Sequence, residues 1–168
     1  MKYILETERL RLREFILADT KFIIELVNTP GWIQYIGERN VKTDEQAVKY
    51  LENGPLKSYA QHGFGLYLAE TKDDKKPIGM CGILKRDNLE NPDIGFAFLP
   101  DFNGKGYAFE VASATLSYAT NKLNLPTVLA TVLPDNARSI KLLEKLGLRF
   151  IKTFCYPDSK QELRLYSN

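Results

Sequence analysis

The stretch that decides the fold is Asp93-Ile-Gly-Phe-Ala-Phe-Leu-Pro-Asp-Phe-Asn-Gly-Lys-Gly-Tyr-Ala-Phe-Glu110. It reads as a strand, a glycine loop and the start of a helix. Gly104 and Gly106 remove side chains where the backbone turns into that helix. A helix leaves its first N–H groups unpaired, so the amides around Gly104 to Ala108 are free to converge on one spot. The helix dipole adds positive potential there, and a phosphate or pyrophosphate fits such a place. Lys105 adds a mobile charge at its rim. A plain loop followed by a helix cap is the competing reading of the same glycines. Neither nucleotide-fold motif is present: the third glycine of GxGxxG is Phe109, and no GK[ST] occurs.

Downstream, Tyr107 to Leu123 reads as a helix with small residues Ala108, Ala112, Thr115 and Ala119 along one face, which lets it lie close to a sheet. Thr127 to Val132 is a short strand. Asn136 to Leu146 is a helix capped by Asn136 or Asp135, with Ser139, Leu142, Leu143 and Leu146 in one stripe and Gly147 at its end. Ser139 therefore faces inward, either as a buried hydroxyl bonded to the carbonyl four residues back or as a group of the site. Arg149 to Phe154 and Gln161 to Tyr166 are strands. Upstream, residues 7 to 14 alternate charged and apolar as a strand with one wet face. Asp19 caps a helix through Phe22, Ile23, Leu26 and Val27, which Pro30-Gly31 breaks. Thr43 to Gln46 forms a capping box, and Gly54-Pro55 ends the helix it opens. Phe64 to Glu70, Pro77 to Leu84 and Asp93 to Leu99 are three strands joined by short polar turns. The order is β-α-α-β-β-β-α-β-α-β-β, an α+β pattern in a single domain, residues 1–168.

Composition narrows the chemistry. The chain has 168 residues, 23 Lys and Arg against 21 Asp and Glu, and a formal charge of +2. No long basic block points to nucleic acid, no apolar run of membrane-spanning length occurs, and the charged start is unlike a signal peptide. His62 is the only histidine, and Cys81 and Cys155 have no metal spacing, so no metal site is expected. The two cysteines read as free packing thiols of a reducing, cytoplasmic protein. Chemistry here rests on carboxylates, hydroxyls, backbone amides and a bound cofactor.

Taken together, the loop, the opening Glu6-Thr-Glu-Arg-Leu-Arg-Leu-Arg13, the run Gly104-Lys-Gly-Tyr-Ala-Phe-Glu110, and Asn136-x-x-Ser139 ending in Lys145-Leu-Gly147 resemble the GNAT N-acetyltransferase superfamily. Its pyrophosphate motif is written R/Q-x-x-G-x-G/A, and Asp101 stands here at its first position. The match is nearest to the branch of ribosomal-protein N-terminal acetyltransferases. The resemblance implies a mixed central sheet with helices on both faces, whose fourth and fifth strands, Asp93–Leu99 and Thr127–Val132, splay apart around the pantetheine arm. It implies acetyl-CoA as co-substrate, held by Phe98, Leu99, Asn103, Gly104, Lys105, Gly106, Tyr107, Ala108, Asn136 and Ser139. A strand amide, that of Leu99, would polarise the thioester carbonyl, since a fixed donor stabilises the charge that develops there. The Tyr that many members carry as general acid is Leu143 here, which leaves Ser139 to meet the sulfur.

The acceptor is an amine, of a protein N-terminus or a small molecule. Amines are mostly protonated at neutral pH, so a carboxylate that takes a proton is needed. The branch places an acidic residue at Asp93, whose same-face neighbours Gly95 and Ala97 leave room for an acceptor. The other reading of Asp93 is a turn residue after Asn91-Pro92. Glu70 is a second choice of base, and Glu110 complements the dipole or pairs with an arginine. Trp32, Tyr35, Ile36, Phe154 and Tyr156 either wall the acceptor pocket or act as core lids. Two other functions are compatible with the residues, an acyl-CoA sensor without turnover and a protein-interaction module. Either a monomer or a homodimer fits the sheet edges.

Overall fold

The computed structural model describes residues 1–168. The strict alternation near the N-terminus does make a strand, but a shorter one than the sequence suggests. β1 (Tyr3–Glu6) and β2 (Leu10–Arg13) form an antiparallel hairpin in place of one strand over 7–14. Thr7 is the reason for the break. Its N–H donates to the Leu10 carbonyl at 2.9 Å and its hydroxyl oxygen accepts from the Leu10 N–H at 3.0 Å, closing a turn at Glu8-Arg9. Leu10 and Leu12 are wholly buried on the inner face.

β3 (Leu66–Thr71), β4 (Pro77–Leu84) and β5 (Asp93–Phe98) continue the antiparallel run. β6 (Leu129–Val132), β7 (Arg149–Phe154) and β8 (Leu163–Ser167) complete an eight-stranded mixed sheet in the order β1-β2-β3-β4-β5-β6-β8-β7. β5 and β6 are the parallel pair, and their ladder holds a single paired position, Asp93 with Leu129. By contrast β4 and β5 pair from Leu84↔Asp93 to Gly79↔Phe98.

Helices cover both faces. α5 (Tyr107–Asn121) and α6 (Ala137–Lys145) lie on one. There Val111, Ala112, Ala119 and Leu143 pack with Ile78, Ile94 and Ala130. On the other face α1 (Thr20–Val27), α2 (Pro30–Tyr35), α3 (Asp44–Leu51) and α4 (Lys57–His62) enclose a second core, with Phe22, Leu26, Trp32 and Leu51 against Leu68, Met80 and Leu99. The Thr43–Gln46 capping box forms.

Three local expectations are corrected. Pro30 does not merely break α1: it sits at the first position of α2, where a missing N–H costs nothing. Gly54-Pro55 does not end α3. The chain runs on through a π-helical segment, Glu52–Leu56, whose wider turn accommodates Pro55, and enters α4. Asp19 precedes α1 but does not cap it. Its carboxylate accepts two hydrogen bonds from Arg13 (2.8 and 2.9 Å) and one from the Ile16 N–H (2.9 Å). Arg13 also donates to Glu70 at 3.0 Å, and Glu70 accepts from the Tyr3 hydroxyl at 3.0 Å. All three charges are buried, and such a network is strongly destabilised when one partner is removed. No helix is long and apolar enough to cross a membrane.

Candidate active site

The loop after β5 is built as its glycines require. Pro100–Phe102 form one 3-10 turn, and Gly104 (φ +74°) and Gly106 (φ +83°) both take the left-handed conformation, which costs glycine nothing. The first backbone bond of α5 runs from the Glu110 N–H to the Gly106 carbonyl at 3.0 Å. The amides of Gly104 to Phe109 meet no protein acceptor, and no side chain caps the helix. A Cβ on Gly104 would stand in open space, whereas one on Gly106 would lie 3.3 Å from the Arg9 guanidinium. Asn103 and Tyr107 are half-buried at its ends, and the Lys105 ammonium lies 5.5 Å from the Phe102 ring centroid.

The parallel strands bring a second helix start to the same edge. α6 begins just past the carboxyl end of β6, as α5 does past β5, and ligands of open α/β sheets collect at such ends. Asn136 caps α6 by accepting from the Ser139 N–H at 3.2 Å. Ser139 is half-buried, and its hydroxyl does not bond back to the carbonyl four residues earlier.

The strand between these helix starts corrects one assignment. The Leu99 N–H donates to the Ile78 carbonyl at 2.9 Å, so it is not free to polarise a thioester. N–H groups alternate sides along an antiparallel strand, so those of Ala97 and Gly95 also face β4. Those of Phe96 and Phe98 face β6, beyond the one rung that Asp93 and Leu129 make. Gly95, Phe96 and Ala97 are half-buried although β5 is an interior strand, while Ile94 and Phe98 on either side are buried.

Asp93 lies at the closed end of this pair and is 1% exposed. Both of its oxygens accept from the Arg86 Nε, at 2.9 and 3.0 Å. Burial pushes its carboxyl above the usual range, against the opposing pull of the Arg86 guanidinium. The room expected over Gly95 is already taken, since a Cβ there would meet Leu84 at 2.8 Å and Leu66 at 3.4 Å. These two leucines border a cleft of about 480 Å3 under α3 and α4, with Tyr50, Lys57, His62 and Asp87 on its walls. A second cleft of about 430 Å3, with Lys21, Glu25 and Lys76, adjoins Leu99 and Asp101.

The aromatic candidates separate. Trp32 is 5% exposed and belongs to the α1–α4 core, so it does not line a pocket wall. Tyr35 is half-buried. Phe154 packs edge-on against Tyr156 at 5.1 Å, over Leu89, Leu129 and Leu165. The Tyr156 hydroxyl is buried without a partner. Glu70 is held by Arg13 and Tyr3 and is not available as a base. Cys81 is buried, its thiol pushed up to about 12, whereas Cys155 is exposed and not a packing residue.

Sequence reasoning missed Arg86 beside Asp93, because a lone arginine after a strand carries no periodic signal. It also missed the contact of Arg9 with the glycine loop. Arg9 Nε donates to Glu110 Oε2 at 2.6 Å and Nη1 donates to the Lys105 carbonyl at 3.0 Å.

Residues 9–149 match the family described as the acetyltransferase (GNAT) domain. The chain belongs to the GNAT acetyltransferase family. This acetyltransferase is 32% identical over 143 residues to the uncharacterized N-acetyltransferase YnaD of Bacillus subtilis, covering 85% of this chain and 81% of that one. It is 29% identical over 86 residues to the ribosomal protein uS5-alanine N-acetyltransferase of Escherichia coli, covering 50% and 43% of the two. Among solved structures, a ribosomal L7/L12 α-N-protein acetyltransferase in complex with coenzyme A superposes with a TM-score of 0.83 at 15% identity, covering 99% of this acetyltransferase and 97% of that chain. That likeness shows the fold. The family transfers acetyl groups to amines, and this chain is an enzyme of that kind.

Proposed function

We propose that the enzyme moves an acetyl group from acetyl-CoA to a primary amine, of a protein N-terminus or a small molecule, by direct attack of the amine on the thioester. The observation that carries this reading is the open cradle of unpaired amides from Gly104 to Phe109, beside the unpaired edge of β5. When bound, acetyl-CoA supplies an acyl group already activated as a thioester.

The residues divide the work. Amides of Gly104, Lys105, Gly106, Tyr107 and Ala108 grip the diphosphate, with Asn103 at the loop's start. The pantetheine arm lies where β5 and β6 separate past Asp93, along Phe98 and Leu99. The N–H of Phe96 or Phe98 donates to the thioester carbonyl, because these amides face that gap and are fixed before the charge develops. Asp93 takes the ammonium proton of the acceptor, directly or through water, once the acceptor competes with Arg86. A raised carboxyl pKa suits a proton acceptor. The Ser139 hydroxyl, capped into place by Asn136, donates to the departing sulfur. Tyr35 and Phe154 wall the acceptor side.

Calorimetric titration with acetyl-CoA, followed by free-thiol release over a panel of N-terminal peptides, polyamines and amino acids, tests the proposal. Binding plus amine-dependent thiol release is expected. Binding without release for every amine indicates a sensor, and absence of binding overturns the reading.

A further inference from the structure

The turn Thr7-Glu8-Arg9 takes no part in the chemistry above, yet one of its side chains grips the cofactor loop. Arg9 reaches Glu110 through Nε (2.6 Å) and the Lys105 carbonyl through Nη1 (3.0 Å). Its guanidinium carbon lies 4.3 Å from the centroid of the Tyr107 ring. Its Nη2 has no protein acceptor and stands 3.3 Å from where a Cβ of Gly106 would be. Glu110 is held in turn by the Thr7 hydroxyl at 2.6 Å and the Arg9 N–H at 2.8 Å. One side chain thus touches residues 105, 107 and 110, the span that turns loop into helix.

Peptide planarity makes this grip consequential. In a trans peptide the C=O and the following N–H point in opposite directions. An arginine that holds the Lys105 carbonyl on its own side therefore sends the Gly106 N–H to the other side. Glycine at 106 has no side chain to resist rotation of that peptide, so an external clamp is needed to fix it. We propose that Arg9 is a positioning residue for the diphosphate loop, fixing the Lys105–Gly106 peptide so that the Gly106 amide faces the bound phosphates. Glu110 orients Arg9 and neutralises its charge, which leaves the direction of the amide as the main contribution. This inference rests on the reading of the loop as a coenzyme A site, and it explains why the hairpin at the sheet edge is tied to a helix start far along the chain.

The test compares wild type, Arg9→Ala and Arg9→Lys with two probes: CoA, and pantetheine, which lacks the diphosphate. Arg9→Ala is expected to weaken CoA binding at least tenfold while pantetheine binding stays within twofold. Addition of CoA is expected to shift the Gly106 amide resonance in the wild type and not in Arg9→Ala. Arg9→Lys retains a charge but not the fork, and is expected to lose at least threefold for CoA; it decides the question if Arg9→Ala does not fold. Unchanged CoA affinity overturns the proposal, and so does an equal loss for both probes, which would indicate general disorder. A wild-type protein that binds no CoA overturns the functional reading itself, and this inference with it.

Discussion

Replacing Gly104 by valine tests the cradle most directly. Gly104 has φ +74°, and a Cβ there would have no neighbour within 4 Å. A Cβ there clashes with nothing in this chain, so the backbone conformation is the first-order effect. Holding an L-residue in the left-handed region costs about 1–2 kcal/mol, and a β-branched residue is less tolerant than alanine. Nothing packs on position 104 to hold it, so the substituted loop relaxes toward negative φ and turns its amides off target. Binding of CoA must then restore the strained form. Each 1.4 kcal/mol is about tenfold in Kd, so alanine is expected to weaken CoA about 5- to 30-fold and valine more than tenfold. Asparagine, which tolerates left-handed backbone, is expected to lose least. The assay is calorimetric titration of the three variants with CoA, with urea unfolding beside it. An unchanged Kd for valine, or an order other than asparagine, alanine, valine, refutes the reasoning. Loss of folding stability with unchanged affinity refutes it as well, since the loop would then have stayed in place.

Asp93→Asn is expected to lower turnover and remove the acid limb of the pH–rate profile. Arg86→Gln, which takes away the charge opposing the effect of burial, is expected to move that limb to higher pH; a wild-type profile in both ends the role of Asp93 as base. Arg13→Ala leaves Asp19 and Glu70 buried without their partner and is expected to cost about 3–5 kcal/mol in urea unfolding; a loss below about 1 kcal/mol would mean that the carboxylates find water. Glu110 is pushed up by burial, but hydrogen bonds from Thr7 and Arg9 outweigh this and hold it below the usual range. A depressed carboxyl contributes stability above its unfolded pKa and loses it as pH falls through the folded one. Acid unfolding of Glu110→Gln is therefore expected to be shallower than that of wild type, and identical curves would refute the link.

Much of this was legible in the chain, for identifiable reasons. The glycine loop shows because two left-handed positions admit little but glycine. The helix α5 shows because its small and apolar spacing is long, and α6 because its Asn136 cap and closing Gly147 are marked. What stayed hidden depends on contacts distant in sequence or on hydrogen-bond parity. The Arg13–Asp19–Glu70 network looks like three ordinary surface charges until the sheet forms. The role of the Leu99 amide is implied only by the family resemblance, and the register against Ile78 shows which way that amide points. Likewise Pro30 and Pro55 look like stops in the sequence, although local geometry at each lets a helical path begin or continue.

The single rung between Asp93 and Leu129 has a mechanical meaning. The β1–β5 and β6–β8 segments meet at one paired position, so beyond it the two halves of the sheet are joined by side-chain packing and not by a backbone ladder.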